Sequence, residues 1–148
     1  MSKREELADA IVALLNAQDA GFSQNFEAKR RTAPYTKPEE IATVKVTVFT
    51  GVKSSERRTR AGFGHTYKPL VVVQKRLPAS DESGRLVESD EMQTLVEEIE
   101  AHFEALEDSV SGLVFVGFDE SDAERESYDL EHMRMNVFSS AISLEFQD

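Results

Sequence analysis

The sequence predicts a single α+β domain in which two amphipathic helices pack on one face of a largely antiparallel sheet of four to five strands. Three observations support this prediction. Apolar residues recur at helical spacing in two segments, they alternate with polar residues in several others, and a length of 148 residues suits one domain. The sequence contains no internal repeat or low-complexity tract, so we treat residues 1–148 as one unit.

The chain opens with a predicted helix over residues 3–18. Ser2 and Glu5 have the spacing of a capping box, in which each side chain bonds the other residue's backbone. The apolar stripe of this helix comprises Leu7, Ile11, Leu14 and Leu15. Residues 22–30 alternate with a period of two and predict an extended segment, and residues 31–40, with two prolines, predict a loop.

The clearest strand covers residues 43–49, where three valines alternate with polar residues. A polar, basic loop is predicted over 51–64, and a returning strand over 65–77. Both faces of that strand are apolar at 70–73, so we expect it in the centre of the sheet. Pro69 predicts that the regular strand begins after it.

The second half of the chain predicts a loop over 78–89, a helix over 90–108 and strands over 113–118 and 135–146. The helix has the strongest periodic signal, and its apolar side is formed by Met92, Leu95, Val96, Ile99, Phe103 and Leu106. Its opposite side carries Glu97, Glu100, Glu104 and Glu107. Such a stripe is either a solvated face or a surface that a basic partner neutralises.

Charge is distributed unevenly along the chain. Residues 1–77 carry 14 basic and 8 acidic residues, whereas residues 78–148 carry 3 basic and 20 acidic residues. The net charge of −11 argues against generic binding of nucleic acid. The separation of charge is either a chance surface composition or a means by which one copy's basic surface meets another copy's acidic surface.

The sequence contains no cysteine, which excludes disulfides, thiol catalysis and cysteine-ligated zinc. Neither a nucleophile-elbow motif nor a dinucleotide fingerprint is present. Glu98 and His102 lie one helical turn apart, but they lack a second ligand pair. We therefore predict no enzyme, no cofactor and no metal site. An enzyme that uses carboxylates with His65 or His102 is the alternative.

Two charged loops are the candidate contact regions, and neither contains a recognisable catalytic motif. The candidate residues are Lys53, Arg57, Arg58 and Arg60 in the basic loop, and Asp119, Glu120, Asp122, Glu124 and Glu126 in the acidic loop. The basic loop has three interpretations: a solvated loop, a contact to an acidic protein surface, or a contact to DNA. DNA is the least favoured, because no aromatic stacking residue interleaves with the arginines.

The first half of the chain resembles a group of small tailed-bacteriophage proteins. The resemblance rests on residues 11–17, on Phe22-Ser23 and residues 26–30, on Pro34-Tyr35, and on the strands at 44–49 and 71–77. In layout, the chain is similar to tail terminator and neck proteins. Those are α+β subunits that form a ring, commonly a hexamer, at the head-proximal end of the tail. The resemblance extends loosely to the final strand, and the rest of the acidic C-terminal half does not share it.

The resemblance implies a structural virion protein that caps the tail tube and joins it to the head. Its partners would be further copies of itself, the tail tube protein and the head-connector proteins, with any DNA contact independent of base sequence. The protein would be assembled in the host cytoplasm and located in the virion. The charged N-terminus and the absence of a long apolar run predict no signal peptide and no membrane span. The alternative function is a small non-enzymatic adaptor or a head–tail connector (completion) protein.

Overall fold

The computed structural model describes residues 2–17, 21–59, 62–78, 82–119 and 136–148. In chain order, the elements are helix α1 (Lys3–Leu15), strand β1 (Ala28–Arg30), a 3₁₀-helix (Pro38–Ile41), β2 (Lys45–Thr59), β3 (Gly62–Arg76), helix α2 (Glu82–Glu104), β4 (Val114–Phe118) and β5 (Val137–Gln147). Within these residues, no helix is long and apolar enough to cross a membrane.

The five strands form one mixed sheet in the order β1-β2-β3-β5-β4. The short strand β1 runs parallel to β2, and the other three pairings are antiparallel. The predicted α+β class and strand number are confirmed. The central position of the strand at 70–73 is also confirmed, because β3 lies between β2 and β5.

Both helices bury their apolar sides against the same face of the sheet. Cross-strand register pairs Val46 with Val73 and Val71 with Ile142 on that face. Leu7 and Ile11 of α1 join the same buried cluster. The contribution of α2 to this cluster comprises Met92, Leu95, Val96, Ile99 and Phe103.

The other face of the sheet, here called the back face, is covered beside β2 and β3 by residues 31–41. Gln74 of β3 is fully buried there, and its side-chain amide pairs with the backbone of Tyr35 in both directions. Tyr35 N donates to Gln74 Oε1 at 3.2 Å, and Gln74 Nε2 donates to Tyr35 O at 3.0 Å. Ile41 of the 3₁₀-helix is also buried. This cover explains why β3 is apolar on both faces.

The predicted start of α1 is confirmed in detail. Ser2 Oγ accepts a hydrogen bond from Glu5 N at 3.3 Å, and Ser2 N donates to Glu5 Oε2 at 3.1 Å. The predicted extended segment over 22–30 is a strand only at Ala28–Arg30. The rings of Phe22 and Phe26 instead pack on each other, 5.4 Å apart, and cover the edge of the core.

Three further predictions about element boundaries are wrong. Residues 51–59 and 62–64, predicted as a loop, continue β2 and β3 as one long hairpin. Pro69 lies inside β3, opposite an irregularity between Phe49 and Val52, where the ladder does not need its missing N–H. Helix α2 begins at Glu82 rather than at residue 90. Its first turns expose Leu86 and Val87, so the sequence there has no apolar stripe by which the helix could be predicted.

Candidate assembly surface

The most distinctive surface is the outer part of the β2–β3 hairpin. We call residues 52–59 of β2 and 62–66 of β3 the β-arm. β5 pairs with β3 no farther along the arm than Thr66, and β1 pairs with β2 only at 46–48. Beyond those points no other described strand joins the arm. Ser54 lies opposite Thr66, so residues 55–59 extend past the three-stranded part of the sheet, and five extended residues span roughly 16 Å.

A glycine sets the direction of the β-arm at its base. Gly51 has a φ of +65° at the irregularity between Phe49 and Val52. A Cβ added at this position would overlap the carbonyl of Lys68 on the facing strand. Position 51 therefore requires glycine for two reasons, the left-handed backbone and the close approach of β3.

Cross-strand register gives the β-arm one face on which basic and aromatic residues alternate. Lys53 lies opposite Tyr67, Ser55 opposite His65, and Arg57 opposite Phe63. Because side chains on a strand alternate, Lys53, Ser55, His65 and Tyr67 share one face of the hairpin. The Lys53 ammonium lies 5.5 Å from the centre of the Tyr67 ring, which is itself 3% exposed.

This register corrects an assumption of the sequence analysis. In the strand register, Lys53 is paired with Tyr67 and Arg57 with Phe63, so basic and aromatic positions face each other across two strands rather than along one. The sequence signal for this extension of β2 is the spacing of Lys53, Ser55 and Arg57, which recur with a period of two. No apolar residues mark that alternation, so the sequence alone does not indicate a strand there.

The structure places the predicted contact residues of the basic region as follows. Lys53 is exposed on the basic and aromatic face of the arm. Arg57 and Arg58 are consecutive residues of β2, and the pairing with β3 is irregular between Arg57 and Thr59. Arg60 lies outside the described residues.

Asp119, from the predicted acidic region, is bound within its own chain. Its Oδ2 lies 3.3 Å from Lys68 Nζ, and its side chain is 14% exposed. Its backbone N–H donates to Ser143 O at 2.9 Å. The other predicted acidic contacts, Glu120, Asp122, Glu124 and Glu126, lie outside the described residues.

The base of the β-arm brings a serine and a histidine together. Ser55 Oγ and His65 Nδ1 are 2.8 Å apart. The nearby carboxylate of Asp148 accepts a hydrogen bond from the backbone N–H of His65 at 2.9 Å. A hydrolytic triad would need a carboxylate on the imidazole, whereas this one binds the backbone. The three residues therefore connect the C-terminus to the arm.

His102 and Glu98, which are one helical turn apart on α2, have separate environments. Glu98 accepts hydrogen bonds from Ser23 N and from Ser23 Oγ, which fastens the segment after α1 to α2. The His102 ring makes an edge contact with Phe22, at 5.4 Å between centres. Its Nε2 is buried and has no hydrogen-bond partner in the described part of the chain. Across the described ranges, no three His, Asp or Glu side chains converge as a metal site would require.

No protein-family model matches this chain, and no curated protein sequence matches it significantly. The geometry of the described residues is therefore the basis for any functional conclusion. That geometry is an extended basic arm on a body whose remaining charge is strongly acidic.

Proposed function

We propose that this protein is a structural subunit of a tailed-phage virion, of the tail terminator or neck type. Identical copies would form a ring, commonly a hexamer in such proteins, that caps the tail tube and joins it to the head. Its other partners would be the tail tube protein and the head-connector proteins. The resemblance of the first half of the chain to this group supports the proposal.

The observation that carries the proposal is the basic β-arm on an acidic body. Five basic residues and one acidic residue lie between Gly51 and Pro69, while the whole chain has a net charge of −11. The excess of acidic residues lies in residues 78–148, with 3 basic and 20 acidic residues, and this part of the chain would provide the acidic surface for another copy's arm. Contact between two different surfaces of identical subunits is heterologous, and such contacts close into rings when the rotation permits. Opposite charges would favour correct register during association.

The low intrinsic stability of a two-stranded ribbon supports the same conclusion. An isolated β-hairpin is marginally stable in water, and a third strand or a packed face is needed to hold it. Beyond Thr66, no third strand among the described residues joins the β-arm. A neighbouring copy would supply the missing contacts.

The experiment is a measurement of molar mass by light scattering over a range of protein concentrations, with electron microscopy of the same samples. We expect a ring-shaped assembly whose mass is a whole multiple of 16.6 kDa. The double variant Lys53→Glu/Arg57→Glu should reduce the mass towards that of the monomer. The matched control Lys29→Glu/Lys37→Glu changes the same charge at exposed positions away from the arm. A protein that stays monomeric at all concentrations, or a control that dissociates equally, would contradict the proposal.

A further inference from the structure

Helix α2 carries an outward stripe whose side chains change from apolar to acidic along its length. The stripe consists of residues spaced by three or four, which lie on one side of a helix: Leu86, Asp90, Gln93, Glu97, Glu100 and Glu104. Leu86 is 60% exposed, an unusual position for a large apolar side chain within a charged surface. Glu97 and Glu104 are exposed, and neither forms an ion pair with a described residue.

The stripe borders two consecutive concave regions between α2 and β5. Leu86 and Asp90 line a cavity of about 410 Å³, which Leu77 and Phe138 also line. Gln93, Glu97 and Glu100 line a second cavity of about 280 Å³, whose opposite wall includes Ser140. A ligand that lies along this flank would meet an apolar end first and a carboxylate-rich end next.

We propose that the α2 stripe is the surface on which the β-arm of a second copy docks. This inference rests on the proposed function, and it names the counter-surface of the ring contact. The stripe is acidic where the arm is basic, and the two have similar charge spacing. Asp90 and Glu97 are about 10 Å apart along the helix, and Lys53 and Arg57 are about 13 Å apart along the strand.

The order of side chains along the two surfaces also agrees. Towards the tip of the arm, Arg57 lies opposite an aromatic residue, Phe63. On the stripe, the acidic residue Asp90 is followed one turn towards the N-terminus by the exposed Leu86. Docking with the tip directed to the start of α2 brings Arg57 to Asp90 and Lys53 to Glu97. The aromatic position then meets the apolar end of the stripe.

The test is a charge exchange between the two surfaces of the full-length protein. Asp90→Lys/Glu97→Lys should weaken association by about tenfold or more, because two attractive contacts become repulsive. Lys53→Glu/Arg57→Glu should weaken it similarly. Combining all four substitutions in one chain should restore most of the wild-type mass by light scattering. The matched control is Glu39→Lys/Glu40→Lys, which reverses two exposed charges on the 3₁₀-helix.

The outcomes separate this inference from the proposed function. This inference is overturned if Lys53→Glu/Arg57→Glu dissociates while both Asp90→Lys/Glu97→Lys and Leu86→Ser assemble normally. In that case the arm docks elsewhere. If the wild-type protein does not assemble at all, the proposed function fails. Circular dichroism and thermal unfolding identify any variant that does not fold, and Leu86→Ser, at an exposed position, provides an independent probe of the same surface.

Binding of a short DNA duplex to the same variants tests the competing partner. We expect that the wild-type protein shows no duplex binding that depends on Lys53 and Arg57, so Lys53→Glu/Arg57→Glu should bind the duplex no less than the wild type does. Duplex affinity that depends on Lys53 and Arg57 but is unaffected by the stripe variants would assign the arm to DNA, and would overturn the docking proposal.

Discussion

Lys68 Nζ and Asp119 Oδ2 lie 3.3 Å apart, and this ion pair joins the base of the β-arm to the end of β4. Both side chains are less than one-third exposed. The pair explains how a residue expected at a contact between copies can instead stabilise one copy. Its position also fastens the arm's supporting strand to the edge strand of the sheet.

Replacing Asp119 with Asn should lower the free energy of unfolding by about 1 kcal/mol, because Lys68 loses its charged partner in a partly buried setting. The mass of the assembly should not change. The control Asp9→Asn breaks a pair with Arg30, also 3.3 Å long but more exposed, and should cost less. Chemical denaturation gives the stability and light scattering gives the mass. A loss of mass in Asp119→Asn at unchanged stability would instead show that this carboxylate contacts another copy.

Replacing Gln74 with Leu should destabilise the fold by about 1–3 kcal/mol, because the N–H and C=O of Tyr35 lose their partners beneath the back-face cover. Gln74→Glu keeps an acceptor for the Tyr35 N–H but cannot donate to Tyr35 O. It should therefore also destabilise. Asn25→Ala changes an exposed amide for which the described contacts show no hydrogen bond, and it should be nearly neutral. Equal stability of Gln74→Leu and Asn25→Ala in urea would refute this assignment.

Two glycines allow the strain at the base of the β-arm to be measured. Gly21 and Gly51 both have positive φ, +71° and +65°. An added Cβ at Gly21 meets nothing within 4 Å, whereas at Gly51 it overlaps the backbone of Lys68. Gly21→Ala should cost about 1 kcal/mol for the backbone alone, and Gly51→Ala should cost clearly more. Hydrogen exchange should show faster exchange in residues 52–59 of Gly51→Ala alone. Similar behaviour of the two variants would contradict the close approach of β3.

The sequence predicts those elements of the fold that have one apolar side. Val46 and Val48 alternate with polar residues because one face of β2 rests on the helices. The Ser2–Glu5 capping box is visible because it depends on residues three apart. In both cases the physical cause lies within a short stretch of chain, so the pattern is readable.

The β-arm and the first turns of α2 were not predictable in the same way. No described side chain of the arm belongs to the apolar core, and the sequence around Lys53 and Arg57 lacks the apolar alternation that identifies a strand. The pairing of Arg57 with Phe63 depends on hairpin register, which sequence alone does not supply. Leu86 and Val87 point away from the core, so they break rather than extend the apolar stripe of α2.

The role of charge in assembly predicts a dependence on salt. The Debye length falls from about 10 Å at 0.1 M to about 3 Å at 1 M ionic strength. Association should therefore weaken as sodium chloride is raised, with the wild-type protein approaching the behaviour of Lys53→Glu/Arg57→Glu. Sedimentation velocity at several salt concentrations measures this. An assembly that grows stronger with salt would indicate a contact dominated by apolar burial.

The contact between arm and helix can be tested directly because the chain has no cysteine. Two single variants, Ser55→Cys on the β-arm and Gln93→Cys on the α2 stripe, are mixed and treated with a short bis-maleimide. We expect a cross-linked species of twice the chain mass that contains one copy of each variant, at a yield well above that of Ser55→Cys mixed with Asn25→Cys. Equal yields with Gln93→Cys and Asn25→Cys, or cross-linking between Ser55→Cys chains alone, would contradict docking of the arm of one copy on α2 of the next.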